Sequence, residues 1–223
     1  MHARCLPFRP LIAALALALP WSAPTALAAV ESAPVAALPD ALVQRAARLV
    51  AALALDDAAK TERVTQIVAG HYAALGPIHD HRDNGLALAK EIADPAERER
   101  TTVQIRESAA ARLHAATASF LGRLAAELTP AQIDAVKDGL TYGVLPNTMR
   151  VYQEMLPNLT PEQSRQIYAW LYEAREHAIS GGSSEEKHGW FGKYKGRINN
   201  YLSAAGVDLK AAEKAMQARR KAP

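Results

Sequence analysis

Two carboxylates and an imidazole can exchange protons with a substrate when a fold holds them across a cleft. The segment around Ser180, Gly181, Gly182 and Ser183 offers that inventory. Glu173, Glu176 and His177 precede it, and Glu185, Glu186 and His188 follow it. Cleavage of a glycosidic bond would need two carboxyl groups about 5–10 Å apart, a separation that linear spacing does not set. Helix-end electrostatics explain the same residues: Ser183 or Ser184 caps a helix, and Glu185 and Glu186 in its first turn complement the dipole. No nucleophile elbow, phosphate-binding glycine loop or dinucleotide fingerprint accompanies them. The catalytic residues stay unassigned, and the reading leans away from an enzyme.

A second polar cluster, Ile78-His79-Asp80-His81-Arg82-Asp83, has the residue types of a metal site. On a helix His79 and Asp83 share a face, but His79 and His81 do not. The tight spacing of zinc ligands is missing, so the stretch reads as a solvated polar face at a helix bend. No metal and no cofactor is expected.

The strongest binding signal is KHGWFGKYKGRINNYL, residues 187–202, with three glycines inside an otherwise helical run. At about 100° per residue, Trp190, Tyr201, Tyr194, Ile198, Phe191 and Leu202 fall within one apolar stripe about 120° wide. Gly189, Gly192 and Gly196 line up on the opposite side, flanked by Lys193, Asn199 and Asn200, with Arg197 at the border of the aromatic stripe. Three interior glycines cost a helix about 3 kcal/mol in propensity. Either a second helix packs on the bare strip, or a polar ligand lies on it. The expected ligand-binding residues are therefore Lys193, Arg197, Asn199, Asn200, Trp190 and Tyr194. The aromatics are also the predicted core face and cannot all serve both roles, so the polar residues carry the expectation. Tyr142 and Asn147 join them from Thr141-Tyr142-Gly143-Val144-Leu145-Pro146-Asn147, which has the texture of a pocket-lining loop.

The elements that must position these residues are helical throughout. Alanine, leucine, glutamate, arginine and lysine dominate, and no alternating strand pattern occurs. Periodicity predicts a helix over 40–55, a long helix over 57–91 bent near Gly76-Pro77, and another over 95–127. The two long helices form an antiparallel hairpin. The pentads Leu128-Thr129-Pro130-Ala131-Gln132 and Leu159-Thr160-Pro161-Glu162-Gln163 each read as a helix start. Threonine is the cap, proline follows it, and glutamine reaches back in a capping box. Leu145-Pro146-Asn147 and Leu156-Pro157-Asn158 read as turns flanking a helix of one to two turns. The expected fold is all-α, a long antiparallel helical hairpin (39–127) plus a compact C-terminal helical lobe (128–223).

The first residues place the protein. Arg4 and Arg9 precede an apolar core, Leu11 to Leu19, and Ala26-Leu27-Ala28 fits a small-x-small cleavage pattern. Residues 1–29 read as a signal peptide cut near Ala28 or Ala29, and 30–38 as a Pro/Ala linker. The expected location is periplasmic or secreted, with no membrane span in the mature protein. The single cysteine, Cys5, lies within the leader, so the mature chain has no disulfide. Loss of Arg4 and Arg9 leaves 24 basic residues against 23 acidic ones, which turns the net charge of +3 into +1. That balance argues against a nucleic-acid partner.

Between Leu128 and Leu209 the chain resembles a secreted bacterial family, domain-of-unknown-function family 3826. The matching words are LTPAQIDAVKDGLTYGVLP, EMLPNLTPEQ, WLYEAREHAI and EKHGWFGKYKGRINNYLSAAG. The resemblance implies a small exported helical protein, often from bacteria that break down complex polysaccharides. It implies no known reaction and supplies no catalytic residues. The paired pentads also resemble the Leu-Thr-x-x-Gln (LTXXQ) periplasmic chaperones, helical proteins whose concave face holds unfolded polypeptide, although those lack the aromatic and glycine segment. The leading expectation is an exported accessory protein that binds carbohydrate in polysaccharide utilisation. The alternatives are a chaperone with a polypeptide ligand and a glycan-cleaving enzyme.

Overall fold

The computed structural model describes residues 37–221, so the expected leader and most of the linker lie outside the described residues. Within them the chain is all-α. It folds into α1 (Asp40–Ala51), α2 (Ala58–Ala89), α3 (Pro95–Ala125), α4 (Pro130–Leu140), α5 (Val144–Met155), α6 (Pro161–Ala178), α7 (Ser184–Ala204) and α8 (Leu209–Lys221). None of these helices is long and apolar enough to cross a membrane.

Local chemistry sets most helix starts. The Asp57 carboxylate accepts from the Ala59 and Lys60 amides, and Asp94 accepts from Ala96 ahead of Pro95. Thr129 and Thr160 each close a full capping box with Gln132 and Gln163. Ser183 accepts from the Glu186 amide. These bonds satisfy donors that a helix N-terminus otherwise leaves open.

α2 and α3 run antiparallel. Arg63 meets Glu127 at the root, His71 stacks on Phe120 at a centroid distance of 4.0 Å, and Gly85 faces Ile105 nearer the tip. α2 continues through Pro77. α1 and α4 cover the root, and their Ala46, Val50, Val136 and Leu140 share one apolar cluster with Val64, Val68, Phe120 and Leu124 of the hairpin. A second cluster joins α5, α6 and α7 through Leu145, Ile167, Leu171, Phe191, Ile198 and Leu202. Here the stripe read from the angular count is the core face. Phe191, Tyr194, Ile198 and Leu202 are buried, while Trp190 and Tyr201 are half-buried at its edges.

Residues 141–147 differ from expectation. The loop is only Thr141, Tyr142 and Gly143, and Pro146 and Asn147 sit in the first turn of α5. A proline there removes an amide that would find no partner in the helix anyway. The reversal is made instead by left-handed backbone at Tyr142 (φ 59°) and Gly143 (φ 64°). Leu145-Pro146-Asn147 is therefore the start of a helix and not a turn before one, and α5 runs for 12 residues rather than the expected one to two turns.

The glycine strip of α7 is open. A methyl group added at Gly189, Gly192 or Gly196 would meet nothing within 4 Å, so among the described residues no helix packs on it. Gly182, before α7, is the opposite case: a Cβ there would lie 2.7 Å from Cγ of His79. Gly192→Ala and Gly196→Ala should each raise the unfolding free energy by about 1 kcal/mol through helix propensity. Gly182→Ala should lower it by about 1–3 kcal/mol through overpacking. Urea unfolding of the three variants checks both signs.

Candidate functional site

The two apolar clusters meet along a polar seam, and the seam builds a cleft. One face of α2 carries His71, Leu75, His79 and Arg82, which fall within about 80° of one another. The imidazoles of His71 and His79 reach the two residues that follow the last turn of α6. Nε2 of His71 donates to the carbonyl of Ile179 at 3.3 Å, and Nε2 of His79 to that of Ser180 at 2.9 Å. A carbonyl oxygen only accepts, so each Nε2 carries the proton. These bonds satisfy carbonyls that the end of α6 leaves open. His79 is therefore a buried clamp, 6% exposed, and not the solvated residue expected from its polar neighbours. The absent side chain at Gly182 makes room for its ring.

Charged groups extend the seam. Arg175 of α6, 1% exposed, donates to Asp138 at 2.9 Å and to Asp134 at 2.6 Å, tying α6 to α4. Lys137 donates to Glu176 at 2.7 Å. Lys187 of α7 is buried and donates to the Leu140 carbonyl at 2.9 Å, between the rings of Tyr72 and Tyr142. Burial, with the Arg45 charge, pulls its ammonium down to about 8. Burial likewise pushes the His71 imidazole down to about 4, against the pull of its Ile179 bond.

Beside the clamp lies a cleft of about 770 Å³. α3 forms one bank with Leu113, His114 and Thr117, and α2 contributes His79 and Arg82. Opposite stand Glu176 and His177 of α6, the Ser180-Gly181 turn, and Glu186, Gly189, Trp190 and Lys193 of α7. The Trp190 indole stacks on His177 with centroids 4.4 Å apart, and Nζ of Lys193 lies 5.3 Å over the Trp190 ring. Glu186 accepts from Arg82 through one oxygen and from the Gly182 amide through the other. Two polar atoms at the cleft, Nδ1 of His79 and Oγ1 of Thr117, are buried without a hydrogen-bond partner among the described residues. No cluster of three or more His, Cys, Asp or Glu that could hold a metal occurs among the described residues.

The residues expected to bind ligand divide among several places. Trp190 and Lys193 line this cleft. Asn147 and Asn199 line a separate recess of about 560 Å³ between α5, α7 and α8, where Asn199 accepts from the Tyr152 hydroxyl at 2.7 Å. Arg197 lies over Trp170, Tyr194 is in the core, Asn200 is exposed, and Tyr142 stacks on His188. Of the acid–base candidates, Glu176, His177 and Glu186 reach the cleft. Sequence reasoning missed Arg82, His114 and Thr117 as members. Only the pairing of α2 with α3 reveals them, and no local spacing marks them.

The sequence family described as Protein of unknown function (DUF3826) matches residues 40–222, from the first residue of α1 to beyond the end of α8. The match therefore takes in the long hairpin as well as the aromatic segment. No curated protein matches the chain.

Acid should loosen the seam. The unfolded chain takes up a proton at His71 near pH 6.5, while the folded chain resists until about 4. Stability is therefore complete above that window and is lost as pH falls through it, by about 3 kcal/mol in all. His71→Gln keeps a donor for Ile179 and should flatten the decline between pH 6.5 and 5 in paired unfolding titrations.

Proposed function

The chain belongs to this family of unknown function, and we propose from its cleft that it is an exported carbohydrate-binding protein. The observation that carries the reading is the Trp190–His177 stack with Lys193 beside it, on the wall of a cleft of about 770 Å³. A stacked indole offers a rigid apolar face to a sugar ring, and the polar groups around it fix orientation through hydroxyls. Gly189, open on the same wall, lets a ligand approach the α7 backbone. Export rests on the leader-like residues 1–29.

Holding fits the carboxylates better than cutting. Glycoside hydrolysis needs one carboxyl group to give a proton and a second to act as nucleophile or base. Glu176 is held by Lys137 and Arg175, and Glu186 by Arg82 and the Gly182 amide. Both pairs stay occupied with structural partners. The Leu-Thr-x-x-Gln pentads contribute two capping boxes, with Leu128 buried in one core and Leu159 packed against the other. Helix initiation explains all of their side chains, and no observation favours a polypeptide-binding face.

Calorimetric titration against an oligosaccharide panel tests the reading. Lys193→Ala should weaken the binding glycan by about tenfold with an unchanged melting temperature, and Trp190→Ala should weaken it further. Arg197→Ala, about two turns further along α7 where the guanidinium lies over Trp170 and outside the cleft, should leave affinity unchanged. Failure of the wild-type chain to bind any glycan, or equal affinity in the Lys193 and Trp190 variants, overturns it.

A further inference from the structure

The cleft does not end at Arg82. A second recess of about 460 Å³ shares Arg82, Ala110, Leu113 and Glu186 with it and continues along the hairpin to Arg106. The two form one trough, with α3 as a continuous bank from Arg106 to Thr117. Twelve residues of helix, separated by eleven rises of 1.5 Å, give that bank a length of about 16 Å. This length takes a short oligosaccharide rather than a single sugar.

The charges of the trough are unequally committed. Each oxygen of Glu176 and each oxygen of Glu186 already accepts a hydrogen bond, and Asp83 accepts from Nε of Arg82. The cations are left with spare capacity. Lys193 and Arg106 have no carboxylate within salt-bridge distance among the described residues. Arg82 uses Nε and Nη2, and its Nη1 makes no hydrogen bond among the described residues. His114 also lines the trough and makes no hydrogen bond there. The seam thus occupies both oxygens of Glu176 and both of Glu186, while Oδ2 of Asp83 and Nδ1 of His79 stay open as acceptors among the described residues. The free donors and positive charge of Lys193, Arg106 and Arg82 face the ligand space.

We propose that the trough binds an anionic oligosaccharide, one bearing carboxylate or sulfate groups, with Lys193 serving one end and Arg82 and Arg106 the other. Guanidinium groups pair with such anions through parallel hydrogen bonds, and a lysine supplies a point charge. The Trp190 face takes the sugar ring between them. The inference rests on the carbohydrate reading and narrows its ligand class.

The test is calorimetry on the full chain with four probes: a galacturonate hexamer, its fully methyl-esterified form, a sulfated galactan hexamer and hexaglutamate. The expected result is that the uronate or the sulfated hexamer binds at least tenfold more tightly than the neutral ester, with affinity that falls as salt rises. Arg106→Ala should weaken the preferred hexamer severalfold and leave its dimer unaffected. If the neutral ester binds as tightly as both anionic glycans, the anionic inference fails and the carbohydrate reading stands. If no glycan binds, both fail. Hexaglutamate binding as tight as the best glycan overturns the oligosaccharide class, and indifference of the hexamer to Arg106→Ala overturns the extended trough.

Discussion

Two consecutive carbonyls just past the end of α6, those of Ile179 and Ser180, are held by two imidazoles on one face of α2. A hydrogen bond of this kind contributes only about 1 kcal/mol net, but leaving its buried partner unsatisfied costs about 1–3 kcal/mol. The clamp therefore acts as a register. His71 and His79 have one place to donate, and the end of α6 has one place to be. Ile179 adds an apolar lock, because its side chain is buried in the hairpin cluster while the rest of α6 packs in the other. Once α6 is fixed against α2, the turn at Gly182 and the cap at Ser183 set where α7 begins. α3, the other half of the hairpin, is left facing α6 and α7 across the cleft.

The same seam sets the chemical character of that cleft. Arg175 and Lys137 would be costly to bury unpaired, so Asp134, Asp138 and Glu176 gather on them. Arg82 draws Asp83 and Glu186 in the same way. The carboxylates nearest the cleft are thereby fixed in structural roles. What remains exposed to a ligand is the Trp190–His177 stack, a lysine and unused guanidinium capacity. This composition supports the proposed binding role, and proton transfer by Glu176 or Glu186 would first require breaking the seam.

Much of the architecture was legible in the chain. Threonine, proline and glutamine at the two pentads mark α4 and α6, because capping is local chemistry that tertiary contacts do not override. The stripe of Phe191, Tyr194, Ile198 and Leu202 was legible because a helix in a layered fold must bury its apolar face. His79 was not legible. Its neighbours Asp80, His81 and Asp83 are polar, and its partner Ser180 lies 101 positions away. Asn147 and Asn199 carry the right chemistry for a site, but they belong to a different recess from Trp190 and Lys193. Helical angle orders residues within one element, whereas a cleft is made by the docking of several. Arg82, His114 and Thr117 enter the site only through that docking.

On the proposed function, ligand is held at the Trp190 wall of the cleft. Nuclear magnetic resonance of the indole N–H groups reads it directly, because Trp170 packs against Tyr201 and Arg197 outside the cleft and serves as an internal control. Titration with an anionic oligosaccharide should move the Trp190 indole signal saturably and leave the Trp170 signal in place. Movement of Trp170 alone, or a bound glycan with both signals stationary, would contradict the account.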